Sequence, residues 1–118
     1  MIEDESAQCP DDLYYSLPSA LAVSPGQLVL LSTPYGRRGH FHHEWTEDGD
    51  GCHRASVTTE QCPRIIPVWL AEERARISDC WFRHEFCCEF VETVEQVFGY
   101  DLVMGVFTDQ VQPLFSEG

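Results

Sequence analysis

The sequence predicts an α/β fold built on a parallel sheet, and three observations lead to this prediction. Residues 28–31 (LVLL) form a continuous apolar run, which is typical of a strand covered on both faces. A segment with helical character precedes this run from Asp11, and residues 1–5 before it could be the end of an earlier strand. The order strand end, helix, strand is that of a right-handed parallel crossover.

The apolar run ends in two hydroxyl side chains and a tight turn. Ser32 and Thr33 follow it directly, Pro34 has no amide hydrogen to offer a sheet ladder, and Gly36 frees the backbone. We therefore expect the two hydroxyls at the carboxyl end of a buried strand. That edge is where open α/β sheets bind their ligands.

The helix before this strand has clear start and stop signals. Asp11 and Asp12 suit its N-cap and first turn, because carboxylates are favoured at the positive end of the helix dipole. Pro18 is expected to break or kink the helix, since proline lacks an amide hydrogen, and residues 19–23 are predicted to form a second short helical piece.

The rest of the chain is predicted to add one strand and several helices. Residues 53–59 alternate polar and small apolar side chains, as strands do. Helices are predicted over residues 39–47, 68–77 and 80–90, with a short helical stretch around residues 100–107. A Gln-Pro sequence at residues 112–113 is typical of a linker.

The predicted helix over residues 80–90 carries an aromatic ridge. Spacings of four residues predict a heavily buried ridge made of Trp81, Phe82, Phe86 and Phe90. Glu85 and Glu89 are also four apart and could support acid–base or metal chemistry. The plainer alternative is that they are exposed or pair with Arg83 and nearby arginines.

The net charge of the chain restricts the kinds of partner that it can bind. The chain carries seven arginines, no lysine and a formal charge of −13. A wide electropositive footprint is therefore missing, and we expect no strong nucleic-acid binding by this acidic chain alone. An excess of acidic residues more often marks a solvated surface than an acidic function.

Cysteine usage and hydropathy point to a reduced compartment. Six cysteines would form a disulfide framework in a small secreted protein, but the chain opens without a basic and apolar leader. We expect a cytoplasmic location. No apolar run approaches the roughly 20 residues that a membrane-spanning helix needs, so no membrane association is expected.

A histidine cluster raises the question of zinc. His40, His42 and His43, with Cys52 and His53 after a short gap, offer imidazole and thiolate, the ligands that zinc prefers. The spacing is poor, because no C-x-x-C pair exists and the three helical histidines would not all point one way. Solvent-facing or aromatic-packed histidines are the alternative, and the role of the cluster stays open.

Asp4 and Glu5 become more interesting beside Ser32 and Thr33. In nucleotide hydrolases one carboxylate at a strand end helps to hold Mg²⁺, and a neighbouring glutamate orients or deprotonates the attacking water. A polar residue at the end of the adjacent strand can then sense the γ-phosphate. The plain alternative is that Asp4 and Glu5 belong to a solvated acidic tail.

Three segments stand in a distinctive order along the chain: DESAQCPDDLYYSL, LLSTPYGRRGHFHHEW and WFRHEFCCEFVETVEQVFGYDL. They resemble the large subunits of phage terminases, the ATP-driven motors that package DNA into viral capsids. The first resembles the family's segment with the Walker B acidic pair. The second resembles its ATPase coupling motif and following helix, and the third resembles the segment between its ATPase and nuclease domains.

The resemblance implies roles for individual residues. Asp4 would help to coordinate Mg²⁺, and Glu5 would be the catalytic carboxylate that activates water. The coupling motif, which moves when the γ-phosphate leaves, would be formed by Ser32, Thr33 and Pro34. Arg37 and Arg38 could contact phosphate or a neighbouring subunit.

The resemblance also implies an architecture. It predicts a partial P-loop-type (ASCE) parallel sheet that lacks the phosphate-binding strand and is followed by a small helical linker region. Residues 1–66 would be the C-terminal part of an ATPase domain, and residues 67–118 a helical subdomain and linker before an absent nuclease domain. ATP and Mg²⁺ would serve the parent protein in the cytoplasm of the bacterial host, and neither is expected to bind tightly to this fragment. Double-stranded DNA, the portal and the small terminase subunit would be partners of the full-length parent.

The chain departs from the family pattern at several points. Glu3 replaces an apolar residue expected in the Walker B strand, and the cation-rich character of a DNA motor is missing. A P-loop needs a lysine followed by Ser or Thr, which a lysine-free chain cannot supply. We therefore expect an internal piece that is inactive alone. The alternative is a small acidic interaction protein that binds a partner through the aromatic ridge.

Overall fold

The computed structural model describes residues 1–47, 49–92, 98 and 100–107. Among these residues two short strands lie in the first part of the chain, and every element after the second strand is helical. In order, the elements are β1 (Ile2–Asp4), a first 3₁₀ helix (Ser6–Gln8), α1 (Asp11–Leu21), β2 (Val29–Leu31), α2 (Gly39–Thr46), a second 3₁₀ helix (Thr59–Gln61), α3 (Pro67–Arg76), α4 (Asp79–Phe86) and α5 (Tyr100–Gly105).

The two strands pair in parallel, with α1 in the connection between them. Ile2 lies opposite Val29 and Asp4 lies opposite Leu31. Parallel strands need a crossover of about a dozen residues or more, which α1 and its flanking loops provide. The predicted α/β arrangement with a parallel sheet is confirmed at this level, whereas the P-loop-type (ASCE) architecture stays a prediction.

The prediction that the apolar strand is covered on both faces is wrong for the described residues. Val29 is 39% exposed, Leu31 49% and their neighbour Ile2 67%. Alternate residues of a strand share one face, so these three side chains form one open apolar face of the sheet. The described part of the chain packs no second layer against that face.

The predicted break at Pro18 is also wrong. Helix α1 runs through Pro18 as far as Leu21, and the amide of Ala22 donates to the carbonyl oxygen of Pro18 at 3.0 Å. Proline removes one donor from a helix but keeps its carbonyl acceptor, so the residues after it can continue the hydrogen-bonding pattern.

The predicted strand over residues 53–59 does not form. No strand of the described residues lies next to this segment, and side chains satisfy part of its backbone. The Cys88 thiol donates to the carbonyl oxygen of Val57 at 3.3 Å. Thr58 then starts the second 3₁₀ helix with a capping box that it shares with Gln61.

Helix α4 is shorter than predicted. Ser78 caps its start by accepting a hydrogen bond from the amide of Trp81 at 3.3 Å, and the helix ends at Phe86 before Cys88 adopts a left-handed backbone with φ 57°. Phe90 therefore lies beyond the end of α4. Its ring packs against the side of α2, where the ring-centre distances are 6.1 Å to Phe41, 4.9 Å to His42 and 6.4 Å to Trp45.

The apolar core of the described residues is small and lies around α4. Phe82 is 4% exposed and contacts Phe86 at 5.0 Å between ring centres, while Arg74 lies over the Phe82 ring at 4.9 Å. Trp81, predicted to be buried in the same ridge, is 48% exposed. Five polar side chains are buried among the described residues, and they are Glu3, Ser6, His40, His42 and His84.

The predicted short helix near residue 100 is confirmed as α5. The predicted linker at residues 112–113 and part of the predicted linker region over residues 67–118 lie outside the described residues.

Candidate functional site at the strand edge

The parallel pairing brings the predicted site residues to one edge of the sheet. Because Asp4 is the register partner of Leu31, Glu5 and Ser32 each follow the last paired residue of neighbouring strands. The carboxyl ends of parallel strands meet at the same edge, which is the ligand-binding edge of open α/β sheets.

The acidic pair at this edge is accessible and locally ordered. Asp4 and Glu5 are both exposed, and Oδ1 of Asp4 accepts a hydrogen bond from the amide of Glu5 at 3.0 Å. Glu5 adopts a left-handed backbone with φ 53°, a conformation that costs most side chains about 1 kcal/mol or more. Strained residues of this kind are frequent where a side chain must point in a required direction.

The acidic pair fits the way proteins usually hold Mg²⁺. Magnesium is commonly bound by one or two carboxylates, with waters and substrate phosphates completing its octahedral shell. Asp4 supplies an exposed carboxylate of this type. Among the described residues, no group of three or more His, Cys, Asp or Glu side chains is arranged to hold a metal ion without such help.

The predicted coupling residues connect the sheet to α4. The Ser32 hydroxyl donates to the carbonyl oxygen of Thr33 at 2.7 Å, and the Thr33 hydroxyl donates to Oε1 of Glu85 at 3.4 Å. Pro34 is buried at the start of the turn. Thr33 therefore contacts a helix that lies more than fifty residues further along the chain.

His84 lies behind this contact and is almost fully buried. Its ring meets Trp81 edge-on at 4.6 Å and Tyr35 at 6.0 Å between ring centres. Its Nδ1 has no hydrogen-bond partner in the part of the chain that the structure describes, and Oε1 of Glu85 lies 3.6 Å away. Burial lowers the pKa of His84, so the neutral ring is favoured.

The two candidate arginines lie on the turn after the coupling residues. Arg37 is one third exposed and forms an ion pair with Asp101 of α5, with 3.4 Å between Nη1 and Oδ1. Arg38 is exposed and occupies the N-cap position of α2. Glu85 and Glu89, the other predicted carboxylate pair, are separated by the end of α4, and Glu89 pairs with Arg83 at 2.6 Å.

A buried polar cluster lies directly under the acidic pair, and the sequence patterns did not predict it. The ring of His40 stands between two carboxylates, with Nε2 at 2.8 Å from Oε2 of Glu3 and Nδ1 at 3.0 Å from Oδ1 of Asp11. The Ser6 hydroxyl donates to Oε2 of Glu3 and lies 3.3 Å from Nε2 of His40. We call these four residues the Glu3–His40 cluster.

Asp11 and Tyr14 complete the surroundings of this ring. Asp11 also accepts a hydrogen bond from the backbone amide of His40 at 2.8 Å, and these contacts lower the pKa of its carboxyl group. Gly39 allows this approach, because its φ is 77° and a Cβ atom there would lie 3.3 Å from Oδ1 of Asp11. Tyr14 stacks on the imidazole at 4.5 Å with an interplanar angle of 10°.

The far end of Tyr14 is tied to α2. Its hydroxyl donates to Oε1 of Glu44 at 2.8 Å. Burial, together with the neighbouring Glu44 carboxylate, raises the pKa of Tyr14 to about 12. Tyr14 is therefore a neutral hydrogen-bond donor that links α1 to α2.

Ser6, His40 and Asp11 have the order of contacts found in nucleophilic hydrolases, where a serine faces one ring nitrogen and a carboxylate faces the other. Ser6 is 1% exposed, however, and its hydroxyl donates to Glu3. A substrate cannot reach that oxygen in this arrangement. The cluster is therefore a structural network below the strand edge.

The other histidines and the cysteines occupy separate environments. His42 is buried against Phe90, and burial, followed by the charges of Arg37 and His43, lowers its pKa. His43 and His53 are exposed. The six cysteines carry free thiols. The alternative of aromatic packing thus describes His42 and also His40, which stacks on Tyr14 and in addition contacts two carboxylates.

One signal in the sequence could have revealed the Glu3–His40 cluster. A charged residue at the middle of a short strand must lie on one face of the sheet, and when that face is buried it needs a partner. Glu3 is such a residue, but its partner His40 lies 37 positions away in the sequence. No local periodicity connects two residues so far apart.

Comparisons with models of protein families, with curated proteins and with solved structures gave no match. Among the described residues, none of the helices has the length and apolar character needed to cross a membrane.

Proposed function

We propose that this chain is part of the ATPase region of a phage terminase large subunit, a motor that drives DNA into capsids, and that it does not hydrolyse ATP by itself. One observation carries the proposal. In the parallel register, Asp4 and Glu5 leave β1 at the same edge at which Ser32 and Thr33 leave β2. A carboxylate for Mg²⁺ and a residue that orients the attacking water are two of the parts that nucleotide hydrolases use on a phosphate, and this supports the proposal.

Each residue at the edge has a task in the proposed reaction. An attacking water forms a new bond to the γ-phosphorus while the bond to the bridging oxygen breaks, and the carboxylate of Glu5 accepts the proton of that water. Asp4 would hold Mg²⁺, which neutralises charge on the phosphates when it is bound. The exposure of both carboxylates supports these roles.

The coupling segment has a mechanical path to the rest of the chain. Thr33 reaches Glu85 on α4, and Tyr35 packs on His84 of the same helix. A change at the strand end after phosphate release would therefore act on α4 directly. Contacts of this kind support a coupling role for residues 32–34.

Other parts of the parent protein must supply phosphate binding and DNA contacts. The chain has no lysine and therefore no P-loop lysine, and its charge of −13 disfavours contact with the DNA backbone. The resemblance implies the portal and the small terminase subunit as further partners of the parent protein.

Two experiments test the two halves of this proposal. The genomic DNA on either side of the coding sequence should encode a P-loop upstream and an acidic nuclease segment downstream, and the absence of both would contradict the parentage. The purified chain should show no Mg²⁺-dependent ATP hydrolysis above the buffer control. Hydrolysis that is lost in the Glu5→Gln variant would contradict the proposed inactivity.

A further inference from the structure

One carboxylate oxygen of Glu85 lies close to two different groups. Oε1 accepts a hydrogen bond from the Thr33 hydroxyl at 3.4 Å, and it lies 3.6 Å from Nδ1 of His84. Consecutive side chains on a helix do not normally face each other, so the closeness of His84 and Glu85 is a feature of this site. Both distances exceed the usual hydrogen-bond range of about 2.7–3.0 Å. Glu85 is therefore near both groups and optimally bonded to neither.

The Nδ1 atom of His84 gives Glu85 a reason to move. The His84 side chain is 2% exposed, and within the described part of the chain its Nδ1 has no hydrogen-bond partner. A buried polar group without a partner costs about 1–3 kcal/mol. The Glu85 side chain is 32% exposed and belongs to a flexible residue, so a small rotation would bring its carboxylate into bonding distance of Nδ1.

The protonation of His84 permits this second bond. A carboxylate that is ionised can only accept, so a hydrogen bond from His84 to Glu85 requires a proton on Nδ1. Burial lowers the pKa of His84, and the neutral ring that this favours carries one proton. With that proton on Nδ1, the other ring nitrogen is a bare acceptor and leaves no N–H group unpaired.

The groups around His84 come from three segments. Thr33 follows the end of β2, Tyr35 lies on the next turn, and Trp81 precedes His84 on α4. Tyr35 is the titratable group that faces the ring from the turn, and it meets the ring edge-on. The charge that acts on His84 is that of Glu85, which raises its pKa against the effect of burial.

We infer that Glu85 has two alternative positions, one bonded to the Thr33 hydroxyl and one bonded to Nδ1 of His84, and that Thr33 decides between them. When the residues after β2 move away from α4, the carboxylate turns to His84. A movement at the end of the strand is thereby recorded at a buried ring of α4. The inference stands on the contacts of these three residues and does not depend on the proposed ATPase function.

Removal of the Thr33 hydroxyl tests the exchange. In Thr33→Val, the pKa of His84, measured by NMR titration of its ring, should rise by roughly 0.5–1 pH unit, because the carboxylate then bonds directly to Nδ1 and stabilises its proton. Thr33→Ser keeps a hydroxyl and should retain the pKa of the unmodified chain. An unchanged or lower pKa in Thr33→Val would overturn the inference, since the carboxylate would then have stayed in place or turned to solvent.

Two further variants identify Glu85 as the source of the rise. In the double variant Thr33→Val/Glu85→Gln, the pKa of His84 should equal that in Glu85→Gln alone, because no carboxylate is left to turn. Ser32→Ala is the matched control, since the Ser32 hydroxyl donates to a backbone carbonyl oxygen and should not affect His84. The inference is wrong if the double variant keeps the rise, or if Ser32→Ala raises the pKa as much as Thr33→Val does.

Nitrogen NMR on the unmodified chain gives a test that requires no variant to keep its fold. At about pH 8, where histidine is neutral, the proton of the His84 ring should lie on Nδ1. The His84 signals are those that disappear in His84→Leu. A proton on Nε2 alone would overturn the inference, because a bare Nδ1 cannot bond to a carboxylate.

Discussion

Asp4 and Leu31 are register partners in the parallel pairing of β1 and β2. This one relationship places the acidic pair at the end of the first strand and Ser32 and Thr33 after the second strand at the same edge of the sheet. No thick apolar core covers the sheet at this pair, because Leu31 is 49% exposed. The stability of the chain must therefore come from elsewhere, and the contacts of α4 indicate where.

Replacing Phe82 should destabilise the chain far more than a change in β2. Phe82→Ala removes a side chain that is 4% exposed, so we expect a loss of about 3 kcal/mol in the free energy of unfolding. Leu31→Thr should cost about 1 kcal/mol or less, because half of that side chain is already in water. Urea denaturation followed by tryptophan fluorescence measures both. If Leu31→Thr proves the more damaging, the apolar core lies at the sheet and not at α4.

The contact between Thr33 and Glu85 should appear as an energetic coupling. In a double-mutant cycle of Thr33→Val and Glu85→Gln, we expect an interaction of about 0.5–1 kcal/mol, since their 3.4 Å hydrogen bond is long but involves a carboxylate. Ser32→Ala is the control, because the Ser32 hydroxyl donates to the backbone. Its cycle with Glu85→Gln should be additive, and equal coupling in both cycles would exclude a specific Thr33 contact.

His84 should make the chain less stable as the pH falls. Its pKa in the folded chain is lowered from 6.5, so below that pH His84 binds a proton in the unfolded chain more readily than in the folded chain. The contribution of His84 to the free energy of unfolding should be present above about pH 7 and should be lost as the pH falls from about 6.5 to about 5. Carboxyl groups are still mostly ionised over this range.

The variant His84→Leu should show a smaller loss over this pH range than the unmodified chain. A slope remains, because the pKa of His42 is lowered in the same direction. His53→Gln is the control, since His53 is exposed and its replacement should leave the slope unchanged. Chemical denaturation at several pH values measures these slopes. Identical slopes for His84→Leu and the unmodified chain would show that His84 is not buried as a neutral ring.

The elements with strong local signals were predictable from the sequence. The apolar run at residues 28–31 predicted β2, and Gly39 after a turn predicted the start of α2. The helices predicted from residues 68 and 80 each begin one residue earlier, where Pro67 and the Ser78 cap provide local start signals. In each case the decisive information lies within a few residues of the boundary.

What the sequence did not reveal depends on contacts between distant residues. Residues 53–59 alternate polar and apolar side chains as a strand does, but a strand also needs a neighbouring strand for its backbone hydrogen bonds. In this segment side chains such as Cys88 bond to the backbone instead. The prediction that β2 is buried was wrong for the same reason, because the exposure of a strand depends on the layer that packs against it. The Glu3–His40 cluster joins residues from β1, the first 3₁₀ helix, α1 and α2, and no local pattern links them.

The most direct test of the proposed function is ATP hydrolysis by the longer protein that the neighbouring coding sequence should encode. We predict Mg²⁺-dependent hydrolysis that Glu5→Gln reduces at least about 100-fold, because the general base is lost. The matched variant Glu60→Gln, which neutralises an exposed glutamate, should retain the original rate. Equal rates in the Glu5→Gln variant and the unmodified protein would contradict the role of the acidic pair, and with it the central claim.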